Sequence, residues 1–122
     1  MLVFDITTRE SFNSIRNWQK EIENNAEQGI LQYLVGNFAD EEDKREVTRE
    51  EAISLVKELG FDNYIETSAY TGQNIASLFE TLTKHLYVVY KNKLKEFVSK
   101  SLSYLTPFFS NKMTTRPIKE PR

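Results

Sequence analysis

Apolar residues recur along this chain in two rhythms. Leu2-Val3-Phe4, Leu31 to Val35 and Tyr64-Ile65 are short apolar runs, and each is followed by a stretch in which apolar residues return at helical spacing. The runs predict strands at Leu2–Ile6, Leu31–Val35 and Tyr64–Thr67. Phe12, Ile15, Trp18 and Ile22 follow the first at steps of 3, 3 and 4, one apolar helix face that should stop near Asn24-Asn25. Thr48-Arg49-Glu50-Glu51 reads as a capping box, and Ala52, Leu55, Val56 and Leu59 form the stripe of the helix it opens. Gly60 should close that helix. After Thr71-Gly72-Gln73-Asn74 a long helix begins, with Ile75, Leu78, Phe79, Leu82 and Leu86 on one side. The order βαβαβα predicts an α/β fold with three parallel strands. Right-handed crossovers place the first two helices on one face of the sheet and the last on the other. Ligands of such sheets bind beyond the carboxyl ends of the strands. Those ends are Asp5-Ile6-Thr7, Gly36-Asn37 and Thr67-Ser68-Ala69.

The helical rhythm continues past Leu86 through Tyr90, Leu94, Phe97, Val98, Leu102 and Leu105, up to Pro107, with Lys91, Lys93, Lys95 and Lys100 between them. Charge follows the same division. Residues 1–83 hold seven basic and sixteen acidic side chains, net −9, whereas residues 84–122 hold nine basic and two acidic, net +7. An acidic body repels phosphates, so nucleic acid is excluded as its partner. The basic amphipathic extension suits either contact with an anionic membrane surface or a lengthened last helix that packs on the body or lies in solvent. His85 reads as a surface residue of that helix, and Thr114 onward reads as disordered.

Composition removes several classes of chemistry. The 122 residues contain no cysteine, which excludes disulfides, thiolate metal sites, cysteine nucleophiles and a prenyl or palmitoyl anchor on these residues. One histidine excludes a multi-histidine zinc site. The longest apolar run is five residues, Leu86–Tyr90, and no signal-like segment follows Met1, so a cytoplasmic location is expected. The four glycines, Gly29, Gly36, Gly60 and Gly72, are separated by 7, 24 and 12 residues. That spacing excludes a phosphate-cradling G-x-x-x-x-G-K-[ST] loop within the chain. No D-x-x-G is present either.

Two strand ends carry paired polar signals: Gly36-Asn37-Phe38-Ala39-Asp40 and Glu66-Thr67-Ser68-Ala69-Tyr70. A carboxylate such as Asp40 accepts two hydrogen bonds from the N1–H and exocyclic amine of guanine, a donor pair adenine lacks. The N–H of Ala69, after Ser68, can donate to the guanine O6. Asn37 can touch the base and tie neighbouring loops. Leu2 to Phe12, Trp18, Val35-Gly36-Asn37, Asp43 to Ala52 and Glu66-Thr67-Ser68-Ala69, in that order and spacing, resemble the second half of a Rab-type small GTPase of the Ras superfamily. The resemblance covers roughly residues 1–87. It implies a partial P-loop GTPase (G-domain) fold, GTP or GDP as ligand, and guanine contacts at Asn37, Phe38, Asp40, Ser68, Ala69 and Tyr70. Two departures stand out. The family motifs N-K-x-D and S-A-K have lysines where this chain has Phe38 and Tyr70. These aromatic rings can stack on a base but supply no ammonium. The family's P-loop, Mg²⁺ ligands, switch threonine and D-x-x-G belong to the segment before the one that matches Met1.

These readings give a half G domain at 1–87, a basic helical extension at 88–113 and a disordered tail at 114–122. No catalytic or metal-binding residue is assigned. The resemblance implies regulation of vesicle traffic by guanine nucleotide, with weak or absent binding, no Mg²⁺ site and no hydrolysis by these residues. The alternative is a non-catalytic pseudo-GTPase interaction module. Expected partners are those of Rab-type GTPases, a second copy paired along the Leu2–Ile6 edge, or an anionic membrane surface met by the tail. A peripheral place on endomembranes is then expected, without a prenylated cysteine.

Overall fold

A computed structural model describes residues 1–110. The expected tail at 114–122 lies outside them. Three strands, β1 (Leu2–Asp5), β2 (Tyr33–Asn37) and β3 (Asn63–Glu66), form a parallel sheet in the order β1-β2-β3. Helices α1 (Arg9–Asn13) and α2 (Ile15–Asn25) follow β1, α3 (Arg49–Leu59) follows β2, and α4 (Ile75–Ser110) follows β3. Two compact units result, one from Met1 to Thr83 and one that begins at Lys84.

Alternation along the strands divides the core between the two faces. Phe4, Ile6 and Leu34 pack on one face with Ile15 of α2, Ala52 and Leu55 of α3, and Val47 and Phe61. Tyr33 and Val35 pack on the other with Leu78 of α4, and Leu31, Ile65 and Leu82 border them. The helices after the first two strands therefore share a face and the last covers the opposite one, as the alternation of elements requires. The α3 boundaries follow local chemistry. Thr48 Oγ1 accepts the Glu51 N–H, Glu51 in turn accepts the Thr48 N–H, and Gly60 ends the helix in the left-handed region at φ 73°.

Five expectations shift. Strand β2 begins at Tyr33 rather than Leu31 and extends to Asn37. Trp18 is 59% exposed, and the fully buried residues of α2 are Ile15 and Gln19. At 3.6 residues per turn the row through Phe12, Ile15, Gln19 and Ile22 faces the sheet, and Trp18 lies at its margin. The helical stretch after β1 is interrupted at Ser14, whose hydroxyl donates to the Glu10 carbonyl beside its own backbone N–H. Helix α4 runs through Pro107 to Ser110 rather than stopping at the proline. His85 is half-buried rather than a surface residue.

Strand β1 has one open edge, but much of it is already closed. The outward-facing Asp5 N–H donates to Ser11 Oγ at 3.0 Å, and the Asp5 carbonyl accepts from Thr8 N–H and Ser11 Oγ at 3.1 Å each. Alternation leaves Val3 as the residue whose N–H and C=O face the open side, and its side chain is 58% exposed.

Candidate functional site

The carboxyl ends of β2 and β3 lie side by side because Gly36 pairs with Glu66 and the Thr67 N–H extends the ladder to the Gly36 carbonyl at 2.8 Å. The loops leaving these strands are then stitched together. Asn37 Oδ1 accepts from Thr67 Oγ1 and from the Ala69 N–H, both at 3.1 Å. The Ala39 N–H donates to the Thr67 carbonyl at 3.0 Å. Ser68 is fully buried and donates to Asp40 Oδ1 at 2.6 Å. The same hydroxyl accepts the Thr71 N–H at 3.0 Å, and the Ser68 N–H donates to the Gln73 carbonyl at 3.1 Å. Asn74, in the left-handed region at φ 59°, donates from its amide to the Glu66 carbonyl and anchors the start of α4 to the end of β3.

Asn37, Asp40, Ser68 and Ala69 thus form one bonded cluster, with Asp40 and Ala69 exposed at its outer side. The short Ser68 contact fixes Asp40 through Oδ1, and among the described residues Oδ2 accepts no hydrogen bond. A carboxylate held in this way is suited to receiving paired N–H donors. The Ala69 N–H, expected to face a ligand oxygen, is engaged by Asn37 here, so a base O6 would compete with that bond. Phe38 and Tyr70 flank the cluster at 42% and 90% exposure. Phe38 sits at φ 67°, a conformation a bulky L-residue rarely adopts, which turns the chain sharply between Asn37 and Asp40.

Beneath the cluster lies a charged pair that the spacing of motifs does not reveal. Glu66 is 8% exposed and receives Arg45 Nη1 on Oε1 at 3.1 Å and Arg45 Nη2 on Oε2 at 2.7 Å. Tyr64 Oη donates to Oε1 at 3.0 Å, and Arg49 approaches Oε2 at 4.0 Å. Burial alone pushes the Glu66 carboxyl up, but the hydrogen bonds from Arg45 and Tyr64 and the two arginine charges outweigh it and hold the carboxyl below its ordinary range. Arg45 also donates to the Val47 carbonyl at 3.0 Å, while the Val47 and Glu46 N–H groups donate to the Ile6 carbonyl at 3.1 and 2.8 Å. One side chain therefore connects the ends of β1 and β3. The one sequence signal for this network was a charged residue at the end of the third strand, which has to be paired if it is buried. At the β1 end the Asp5 carboxylate accepts from Thr7 N–H at 2.8 Å and Thr7 Oγ1 at 2.6 Å, turning the chain into α1.

A parallel sheet with two bonded loops at its carboxyl edge, one bearing an asparagine and an aspartate and the other a buried serine, defines one half of a small-GTPase domain. Residues 1–88 match the Ras family, and the chain belongs to it. Rab-type proteins are among the relatives it matches. It is 42% identical over 86 residues to the Ras-related protein Rab-13 of Canis lupus familiaris, covering 70% of this chain and 42% of that protein. It is 40% identical over 94 residues to the human Ras-related protein Rab-15, covering 77% and 44%. It is 40% identical over 102 residues to the Ras-related protein RABE1e of Arabidopsis thaliana, covering 83% and 44%. The chain spans less than half the length of these curated relatives.

Proposed function

We propose that this chain supplies the guanine-recognition half of a Rab-type GTPase that regulates vesicle or membrane traffic, and that these 122 residues do not themselves hydrolyse GTP. In this reading Asp40 accepts the N1–H and amine of the base, Asn37 and the Ala69 N–H meet its other edge, Ser68 positions Asp40, and Phe38 and Tyr70 stack on its faces. The observation that carries the reading is the bonded cluster Asn37–Thr67–Ala69 and Asp40–Ser68 at the carboxyl edge of the sheet. The phosphate, Mg²⁺ and water-orienting motifs of the family are not among these residues, and those are the parts that act on the γ-phosphate. Base contacts alone give weak binding. One charged hydrogen bond of about 1.5–3 kcal/mol and two neutral ones of about 0.5–1.5 each, with two stacking contacts of about 1–3 each, are offset by about 4–15 kcal/mol of immobilisation.

Competition against a fluorescent guanine nucleotide tests the reading. GTP and GDP are expected to displace it better than ATP, and Asp40→Ala is expected to remove the difference. Equal competition by ATP and GTP rejects it.

The second reading is a non-catalytic interaction module. Phe38 and Tyr70 in the two lysine positions favour it, as does the engagement of the Ala69 N–H by Asn37. Calorimetric titration with GTP and GDP in Mg²⁺ separates the two readings, since a module need not bind nucleotide.

In either reading the Leu2–Ile6 edge is offered to a second strand, narrowed to the stretch around Val3. Sedimentation of the purified chain is expected to show concentration-dependent association. Val3→Lys should suppress it without loss of core packing, because that side chain is exposed. A wild-type chain that stays monomeric at high concentration removes the edge from consideration.

A further inference from the structure

From Lys84 to Tyr104 the helix α4 carries five lysines and one acidic residue, Glu96, net +4, against net −9 for residues 1–83. At about 100° per residue most of the large apolar residues gather on one side of the helix, with Val88 and Leu102 as exposed exceptions outside it. Leu86, Tyr87, Tyr90, Leu94, Phe97 and Val98 fall within one arc of roughly 120°. All six are exposed, from 46% at Val98 to 70% at Phe97. Lys91 and Lys95 border one edge of the arc, and Lys93 and Lys100 border the other. Glu96 lies on the far side of the helix. The border arrangement is visible in a contact: Lys91 Nζ lies 5.9 Å from the centre of the Tyr87 ring.

We propose that this face of α4 lies on an anionic membrane surface. A lysine row on each side of an apolar arc matches a bilayer boundary, where the aliphatic stems follow the apolar face down and the ammonium groups reach the lipid headgroups. Tyrosine rings have an apolar body and a polar tip and collect at that depth. Placing the acidic residue away from the surface removes the one repulsive charge of the segment. A paired helix fits the pattern less well. A coiled-coil seam needs a narrower stripe filled by branched aliphatic residues, and this arc is wide and has Tyr90 near its middle. Among the described residues no helix is long and apolar enough to cross a membrane, so the contact is one of lying on the surface. The inference stands apart from the base site, since it uses only residues 84–104.

The test is sedimentation of the full chain with vesicles of phosphatidylcholine alone or mixed with phosphatidylserine. Binding is expected to the mixed vesicles, to be far weaker to the neutral ones, and to fall as salt is added. Each lysine near an anionic leaflet is worth about 1 kcal/mol, or about fivefold, so Lys93→Gln with Lys100→Gln should weaken binding by about 25-fold. Leu94→Ser with Phe97→Ser should remove it. Circular dichroism of each variant checks that helix content is kept, and the glutamine pair retains good helix formers. Equal binding to both vesicle types, absence of binding to the mixed vesicles, or binding by the serine pair equal to wild type overturns the proposal. So does a wild-type oligomer that ignores vesicles and becomes monomeric in the serine pair, which would make the face a protein seam.

Discussion

Gly36→Ala is expected to lower the unfolding free energy by about 1–3 kcal/mol or more, read as a fall in the urea midpoint at unchanged slope. The reason is space rather than backbone conformation. A Cβ at Gly36 would lie 2.7 Å from Tyr64 Oη, 2.9 Å from Ile6 Cγ2 and 3.2 Å from Phe4 Cζ. These atoms come from both neighbouring strands, so no single rotation relieves all three contacts. The crowding has a purpose. Gly36 stands between Phe4 and Glu66 in the sheet register, and its missing side chain lets the Tyr64 ring reach across β2. There the ring stacks on Phe4, centres 6.3 Å apart and planes 12° apart, and its hydroxyl reaches Glu66. The glycine that precedes Asn37 therefore sets the floor of the candidate site. Tyr64→Phe in the Gly36→Ala background removes the nearest of the three atoms and should recover part of the loss. A double variant no more stable than Gly36→Ala would place the strain at Ile6 and Phe4 instead.

Elements with local signals were legible in the sequence. The α3 helix has its cap at Thr48 and Glu51 and its stop at Gly60, all chemistry within a few residues, and its boundaries follow. The strands announce themselves as apolar runs, and their alternation with helices dictates parallel pairing and the sharing of faces. At the candidate site, Asn37, Asp40, Ser68 and Ala69 stood out because each lies at or just after a strand end. What escaped depends on distance along the chain. Arg45 and Glu66 are 21 residues apart, and nothing local announces their pairing. Trp18 and Gln19 exchange the expected inside and outside because one step along a helix turns the side chain by about 100°, and apolarity alone favours the tryptophan. The closing of the Asp5 edge by Ser11 and the capture of the Ala69 N–H by Asn37 are likewise tertiary choices among donors that the sequence leaves equivalent.

The buried pair gives the other large effect. Arg45→Met is expected to cost about 3–5 kcal/mol at neutral pH, because it leaves the Glu66 carboxylate buried without its bidentate partner. Arg45 is 16% exposed and Glu66 9% at their side chains, so solvent offers the carboxylate little compensation. The pH dependence should change sign between the two proteins. In the wild type Glu66 is held below its unfolded value, so its contribution to stability is present above the ordinary carboxylate range and is lost as pH falls through the folded value. In Arg45→Met burial becomes the dominant influence on Glu66 and raises it above the unfolded value. The folded variant then binds the proton more readily than the unfolded chain, and its deficit against wild type should shrink as pH falls from 7 toward about 4. Urea unfolding of both proteins across that range measures the difference. Replacing both partners, Arg45→Met with Glu66→Gln, removes the stranded charge and should recover much of the loss, with little remaining dependence on pH in that window. A single variant whose deficit stays constant from neutral to acid pH would show that Arg45 acts through its bond to the Val47 carbonyl and its ion pair with Glu42, 2.8 Å away, rather than through Glu66.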